Sequence, residues 1–299
     1  MAFLDCPPIY AEQVTHCLHP VMVRPDDEHV FPVPCGRCIA CKMRKTKEWS
    51  LRLEMEARDY DFRNIQFVTL TYDNNYVPVA VTETDKYVVE VPSLSGRDVQ
   101  LFLKRLRKTL DYPIRYYLVG EYGARTQRPH YHAIVYGLRS EDSYKVARAW
   151  RQGFVLVKPF FNETTVYVAG YIQKKLYGRN TYKYEMPPFV RCSQKLGLSF
   201  CLRKDVLANI IADPDHCLYL NGYKRGLPRY IRRKLTEMGY LEPRSIDDVL
   251  GDYVEQSFDF EESLKRKNIT YADWLLNEYA NIERKFVKNN RKRNLNLEV

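Results

Sequence analysis

The alternation of apolar and polar positions predicts five β-strands in the first half of the chain. Asn64–Tyr72 is rich in β-branched and aromatic residues, which is typical of a buried strand. Ile114–Tyr122 and His130–Leu138 have the same character and are joined by a short polar loop. Shorter apolar segments at Tyr87–Val91 and Gly153–Lys158 complete the predicted set.

Helical spacing of apolar residues predicts helices before, between and after these strands. The predicted segments are Lys47–Asp61, Ser95–Leu110, Ser143–Trp150 and Glu163–Leu176. Ser95 is placed to cap the second of them, with Asp98 in its first turn. The opposite face of that helix carries lysine and arginine, so we expect it to face solvent.

The order of these elements predicts an α+β fold with an antiparallel sheet of the ferredoxin or RNA-recognition-motif type. We expect three parts: a Cys-rich N-terminal segment and helix (1–60), a core with flanking helices (61–190), and a C-terminal helical extension (191–299). The extension contains a dense basic and aromatic stretch, which we interpret as a DNA-binding or partner-binding surface. Its candidate DNA contacts are Lys224, Arg225, Arg229, Arg232 and Arg233.

Composition narrows the class of protein. The 299 residues carry a formal net charge of +10, which favours a polyanionic partner such as nucleic acid. A basic protein without such a partner has the same composition, so charge alone does not decide. No apolar segment approaches the ~18–20 residues of a membrane span, and the N-terminus lacks the pattern of a secretory signal. We therefore expect no membrane association.

Two histidines point to a metal site. Because strand residues two apart face the same side, His130 and His132 present their rings together. Imidazole binds divalent metals through a neutral nitrogen. Glu121 precedes them by nine residues, near the end of the neighbouring strand, and its carboxylate suits Mg²⁺ or Mn²⁺. An isolated pair of histidines at this spacing is more often structural, so the elements around it carry the interpretation.

Two tyrosines on the following helix could supply a nucleophile. Tyr167 and Tyr171 are four residues apart and therefore share one face of a helix. Attack of a tyrosine oxyanion on a phosphodiester leaves a 5'-phosphotyrosine and a free 3'-hydroxyl. Lys174, one turn after Tyr171, could stabilise negative charge, and Lys175 could bind backbone phosphate. Taken alone, a packed aromatic stripe explains the tyrosines more simply.

Three cysteines lie within seven residues. Cys35, Cys38 and Cys41 form two consecutive Cys-x-x-Cys steps, a spacing that suits a tetrahedral Zn²⁺. The fourth ligand stays open between Cys17, His16, His19 and His29. An iron–sulfur cluster and three reduced thiols in a loop are the alternatives.

Three segments together resemble the motifs of the HUH endonucleases, enzymes named for a His-hydrophobic-His pair that initiate rolling-circle replication. They are Phe67–Tyr72, Pro129–His132 and Tyr167–Lys174. With the cysteine segment Pro34–Cys41, the chain is most similar to replication initiators of single-stranded DNA bacteriophages of the microvirus group, in the gokushovirus branch.

The resemblance implies an enzyme that nicks one strand at an origin, stays on the 5' end, and later rejoins the DNA into a circle. It implies His130, His132 and Glu121 as ligands of Mg²⁺ or Mn²⁺, and two tyrosine nucleophiles. Lysine follows Tyr171 by three residues but glycine follows Tyr167, so Tyr171 is the first choice as nucleophile. Tyr167 is either the second nucleophile or a supporting residue.

The same resemblance implies single-stranded or melted origin DNA as substrate, with host helicase, polymerase and single-strand-binding protein as partners. The site of action would be the cytoplasm of the infected bacterial host. Two alternatives stay open: a non-catalytic, zinc-containing protein that binds single-stranded nucleic acid, and a plasmid or transposon relaxase-type enzyme of the same chemistry.

Overall fold

The computed structural model describes residues 9–83, 88–123, 126–161, 168–170 and 185–295. Two compact units divide the chain: one spans 46–241, and the other combines 1–45 with 242–299. The three-part division expected from the sequence stays a prediction about function, because compactness alone does not test it.

The strands are, in chain order, β1 (Val21–Val23), β2 (Phe31–Val33), β3 (Ile65–Tyr72), β4 (Val79–Glu83), β5 (Val88–Pro92), β6 (Arg115–Tyr122), β7 (Pro129–Tyr136), β8 (Gly153–Pro159), β9 (Phe189–Cys192), β10 (Cys217–Leu220) and β11 (Tyr223–Gly226). The helices are α1 (Ala11–Thr15), α2 (Ile39–Ala57), α3 (Gly96–Thr109), α4 (Tyr144–Ala149), α5 (Leu198–Cys201), α6 (Lys204–Ala212), α7 (Arg229–Glu237), α8 (Ile246–Lys267) and α9 (Tyr271–Leu295). Short 3-10 turns lie at Phe62–Asn64, Asn74–Tyr76 and Ser140–Asp142.

A five-stranded sheet with the order β8-β3-β7-β6-β9 forms the centre of the larger unit. All of its neighbouring strands are antiparallel. Helix α3 connects β3 to β6, and β7 lies between those two strands, which is the split βαβ arrangement. Helix α4 connects β7 to β8 in the same way. The predicted α+β class with an antiparallel sheet is therefore confirmed.

The start of α3 follows from its sequence. The Ser95 side chain accepts a hydrogen bond from the Asp98 backbone N–H, as a helix N-cap does. Phe102 and Leu106 of this helix are fully buried against one face of the sheet, together with Leu70 and Tyr131. The predicted apolar stripe thus packs against the core, and the basic stripe stays outside.

The second face of the sheet has an apolar end and a polar end. At the apolar end, Tyr117 and Ile134 pack against Leu53 of α2 and against Val168. At the polar end the same strands carry threonine, histidine and glutamate. Alternation with a period of two puts these polar residues on the same face as the apolar ones further along the strands.

Some elements differ from the sequence expectation. The predicted short strand is observed as β5, but it pairs with β4 in a separate hairpin that the polar composition around it had concealed. Strand β9, which was not predicted, extends the sheet by pairing with β6. Of the predicted helix at 163–176, the described residues are Val168–Gly170, which are helical.

The smaller unit joins both ends of the chain. The β1–β2 hairpin and α1 come from its N-terminal part, and α8 and α9 from its C-terminal part. Tyr10 packs its ring against Phe260 and Tyr271. Among the described residues, no helix is both long enough and apolar enough to cross a membrane.

Candidate active site

The β6–β7 hairpin brings the predicted ligands together. Glu121 lies directly opposite His130, and Val119 lies opposite His132. Paired residues of antiparallel strands project to the same face, so all of these side chains share the polar end described above. This register could not be derived from the sequence, which indicates only the shared face of the histidines.

The three side chains converge on one point. The Nε2 atom of His130 lies 2.8 Å from Oε1 of Glu121, and Nε2 of His132 lies 3.3 Å from the same oxygen. Glu121 is 3% exposed and His132 is 5% exposed. A carboxylate so deeply buried needs compensating positive charge, which can come from a protonated imidazole or from a bound cation.

Each imidazole is oriented through its other nitrogen. Nδ1 of His130 lies 3.1 Å from the Arg128 carbonyl oxygen, which can only accept a hydrogen bond, so Nδ1 donates. Nδ1 of His132 forms a 3.1 Å hydrogen bond with Oγ1 of Thr69, and its ring stacks on Phe67. Metal-binding histidines are held in this way, with the second nitrogen fixed by an outer hydrogen bond.

The distances suit a divalent ion. Ligands at about 2.1 Å from an octahedral Mg²⁺ stand about 3.0 Å from their nearest neighbours. The measured separations of 2.8 and 3.3 Å bracket that value. Glu121, His130 and His132 are therefore a group that could hold a metal ion.

The surface beside this group was not anticipated from the sequence. Thr71 pairs with His130 on one side and with Phe154 of edge strand β8 on the other. Phe154 is 65% exposed and Leu156, two residues on, is 51% exposed. Exposed apolar side chains therefore continue the row of the metal-binding group to the sheet edge. Only the strand register, which a single sequence does not provide, could have revealed this neighbourhood.

The predicted nucleophile and phosphate-binding residues fall on another part of the chain. Tyr167, Tyr171, Lys174 and Lys175 lie outside the described residues. Between the two tyrosines in sequence, Val168 and Ala169 are fully buried in the cluster that contains Val119 and Ile134. That cluster lies on the same sheet face as the metal-binding group.

The cysteine segment forms a second group that could hold a metal. The sulfurs of Cys17, Cys35, Cys38 and Cys41 all lie within 4.8 Å of one another. The sulfur of Cys17 is 3.5 Å from that of Cys41 and 3.7 Å from that of Cys38. Of the candidates left open for a fourth ligand, Cys17 is the one that joins this group.

Backbone amides surround one of these sulfurs. The N–H groups of Arg37 and Cys38 donate to Sγ of Cys35. Partial burial raises the pKa of the Cys35 thiol, but these hydrogen bonds outweigh it and bring the pKa to about 7. Burial raises the pKa of the Cys17 thiol above its ordinary value. Amide hydrogen bonds of this kind favour thiolate, the form that binds metals.

The predicted DNA-contacting residues of the C-terminal part lie on β11 and α7. Lys224 forms ion pairs with Asp213 at 3.0 Å and Asp215 at 2.9 Å. Arg232 donates to the Asp215 carbonyl at 2.8 Å. The exposed residues of the set are Lys224, Arg225, Arg229 and Arg233. The acidic neighbours reduce the positive charge that Lys224 offers to a polyanion.

Comparison with known proteins defines the class. Residues 65–176 match a family model described as replication-associated protein ORF2. This stretch begins with β3, contains Glu121, His130 and His132, and extends past Tyr171.

Individual relatives agree. The chain is 28% identical over 241 residues to replication-associated protein ORF4 of Chlamydia phage 1, covering 70% of this chain and 54% of the relative. It is 27% identical to VP4 of Bdellovibrio phage phiMH2K, covering 75% of this chain and 79% of that protein. It is also 27% identical to ORF2 of Spiroplasma virus 4, with coverages of 75% and 72%. No solved structure matches the chain. The predicted resemblance to phage replication proteins is thereby confirmed, although the chain spans about half the length of the first relative.

Proposed function

We propose that the protein is a replication-initiation endonuclease with an HUH core, which nicks one DNA strand and rejoins it through a 5'-phosphotyrosine. The observation that carries this proposal is the convergence of His130 and His132 on buried Glu121 at the polar end of the sheet. Similarity to phage replication-associated proteins supports the biological role.

The reaction would proceed in two transfers. The phenolate of Tyr171 attacks the scissile phosphorus, the bond to O3' breaks, and the departing O3' takes up a proton to become a 3'-hydroxyl. The 5' end stays on the tyrosine, so the energy of the phosphodiester is kept for rejoining. In the second transfer Tyr167 cuts the regenerated origin, and the 3'-hydroxyl attacks the first phosphotyrosine. Lys174 would stabilise the developing charge.

The proposed cofactor at Glu121, His130 and His132 is Mg²⁺ or Mn²⁺, which would polarise the scissile phosphate and orient it for in-line attack. The donor set fits such an ion, since both imidazoles are fixed through Nδ1 and direct Nε2 at the carboxylate. A structural Zn²⁺ is proposed for Cys35, Cys38 and Cys41.

The proposed substrate is single-stranded or melted origin DNA. The polar end of the sheet, with Phe154 and Leu156 exposed beside it, offers apolar surface against which bases could pack next to the metal-binding group. We further propose that host helicase, polymerase and single-strand-binding protein extend and protect the strand, in the cytoplasm of the infected bacterium.

Adduct formation tests the proposal. The full chain is incubated with Mn²⁺ and a labelled origin oligonucleotide, and protein–DNA adducts that survive SDS are counted. We expect an adduct with the native chain and with the matched control Tyr177→Phe, and none with Tyr171→Phe. Replacing His130 and His132 by alanine should remove cleavage and leave salt-sensitive binding intact. Binding without any adduct, whatever the divalent ion, would instead support a non-catalytic binding protein.

A further inference from the structure

We propose that Cys17 is the fourth ligand of a four-thiolate zinc site, and that this site fastens the N-terminal segment to which the last helix of the chain is attached. The inference concerns the smaller unit alone and does not depend on the nicking activity.

The positions of the sulfurs fit one tetrahedral ion. Four ligands at about 2.3 Å from Zn²⁺ stand about 3.8 Å from one another. Two sulfur pairs measure 3.5 and 3.7 Å, and none of the four sulfurs is more than 4.8 Å from another. A cluster of several iron atoms would hold its thiolates further apart. All four cysteines are free thiols, so no disulfide competes for them.

The chain is shaped to deliver these sulfurs. Cys17 follows the end of α1, where His16 adopts a left-handed conformation with φ of 48° and turns the backbone. Gly36, with φ of 71°, lets the backbone fold around Cys35. Cys38 precedes α2 and Cys41 lies in its first turn. One ion would thus join segments separated by 17 residues of chain between Cys17 and Cys35.

The C-terminal helix is attached beside this group. The Tyr279 hydroxyl donates to the carbonyl oxygen of Leu18 at 2.6 Å, one residue after Cys17. The Tyr271 hydroxyl donates to the carboxylate of Glu12 in α1. Both anchors of α9 therefore lie on the short segment whose position Cys17 would fix.

Release of the metal should loosen this attachment. Without the ion, the segment around Cys17 keeps only its hydrogen bonds and apolar contacts, and a small irregular segment gains much of its order from a metal. We therefore expect α9 to detach when zinc is removed, while residues 46–241 keep their fold.

Metal content tests the ligand assignment. The purified full chain should contain about one zinc per molecule, and Co²⁺ loaded in its place should show the strong visible and near-ultraviolet absorption of tetrahedral thiolate coordination. Cys17→Ser should retain zinc about tenfold less well or lose it. Cys6→Ser, a change at a neighbouring cysteine outside the described residues, is the matched control and should retain it. Equal zinc in Cys17→Ser and the native chain, or loss in Cys6→Ser, would overturn the assignment.

Limited proteolysis tests the structural role without any mutation. Treating the zinc-loaded chain with a strong chelator should expose the linker at residues 268–270 and α9 to cleavage at least several-fold faster, with 46–241 unaffected. Restoring zinc should restore protection. If chelation removes the metal and the rate of cleavage in α9 stays unchanged, the site does not hold the C-terminal helix.

Discussion

Thr69 is predicted to set the metal affinity of a residue it never replaces as ligand. Its hydroxyl bonds to Nδ1 of His132 at 3.1 Å, and that ring is 5% exposed. Changing Thr69 to Val keeps a β-branched side chain of similar shape in β3 but removes the hydrogen bond. Nδ1 would then be buried with its proton unsatisfied whenever Nε2 binds a metal.

The expected size of the effect follows from that burial. A buried donor left without its partner costs about 1–3 kcal/mol. Since about 1.4 kcal/mol corresponds to a factor of ten in an equilibrium constant, Mn²⁺ affinity should fall about tenfold, within the about 10- to 100-fold range for outer-shell changes.

Titration calorimetry with Mn²⁺ measures this directly, and the Mn²⁺ concentration for half-maximal nicking provides a second reading. Excess Mn²⁺ should restore the nicking rate, because the ligands themselves are unchanged. Thr71→Val, the same substitution two residues along the same face, is the matched control and should bind Mn²⁺ normally. Unchanged affinity in Thr69→Val, or an equal loss in both variants, would refute the positioning role of the hydroxyl.

Three further predictions concern stability and DNA binding. Gly197→Ala should destabilise the fold in urea by about 2 kcal/mol or more, because φ is 78° and a new Cβ would stand 2.7 Å from the Arg52 carbonyl oxygen. Gly222→Ala has the same φ with no atom within 4 Å, so it should cost only the backbone part, about 1 kcal/mol. Burial raises the pKa of Asp213, but the bond from Lys224 and backbone amides outweigh it and lower the pKa to about 2. Its stabilising effect should be present above about pH 4 and lost as the pH falls through about 2, so the urea midpoints of the native chain and Asp213→Asn should converge at the acid end; a constant difference would contradict this. If α7 contacts DNA backbone, Arg229→Ala should weaken binding to all sequences alike and reduce the salt slope by about one, which filter binding at several salt concentrations would check.

Much of the fold could be predicted because local patterns determine local structure. The period-two alternation in β7 placed His130 and His132 on one face, and the Ser95 cap placed the start of α3. The basic stripe of α3 similarly marked its outer side. Each of these depends on residues only a few positions apart.

What the sequence did not reveal depends on pairing across distance. The register of β6 against β7 decides that Glu121 meets His130, and that of β3 against β8 decides that Phe154 lies in the same row. Strand β9 joins the sheet after a long connection, so no local signal distinguished it. Cys17 was one of four open candidates because its partners come 18 residues later in the chain.

The central claim is that a tyrosine in the segment after β8 becomes covalently attached to DNA with help from Glu121, His130 and His132. Mass spectrometry of the proteolysed adduct formed with Mn²⁺ and origin DNA tests it most directly. The account predicts a nucleotide-modified peptide containing Tyr171, absent from Glu121→Gln. A modified residue outside residues 163–176, or no modified peptide under any divalent metal, would contradict it.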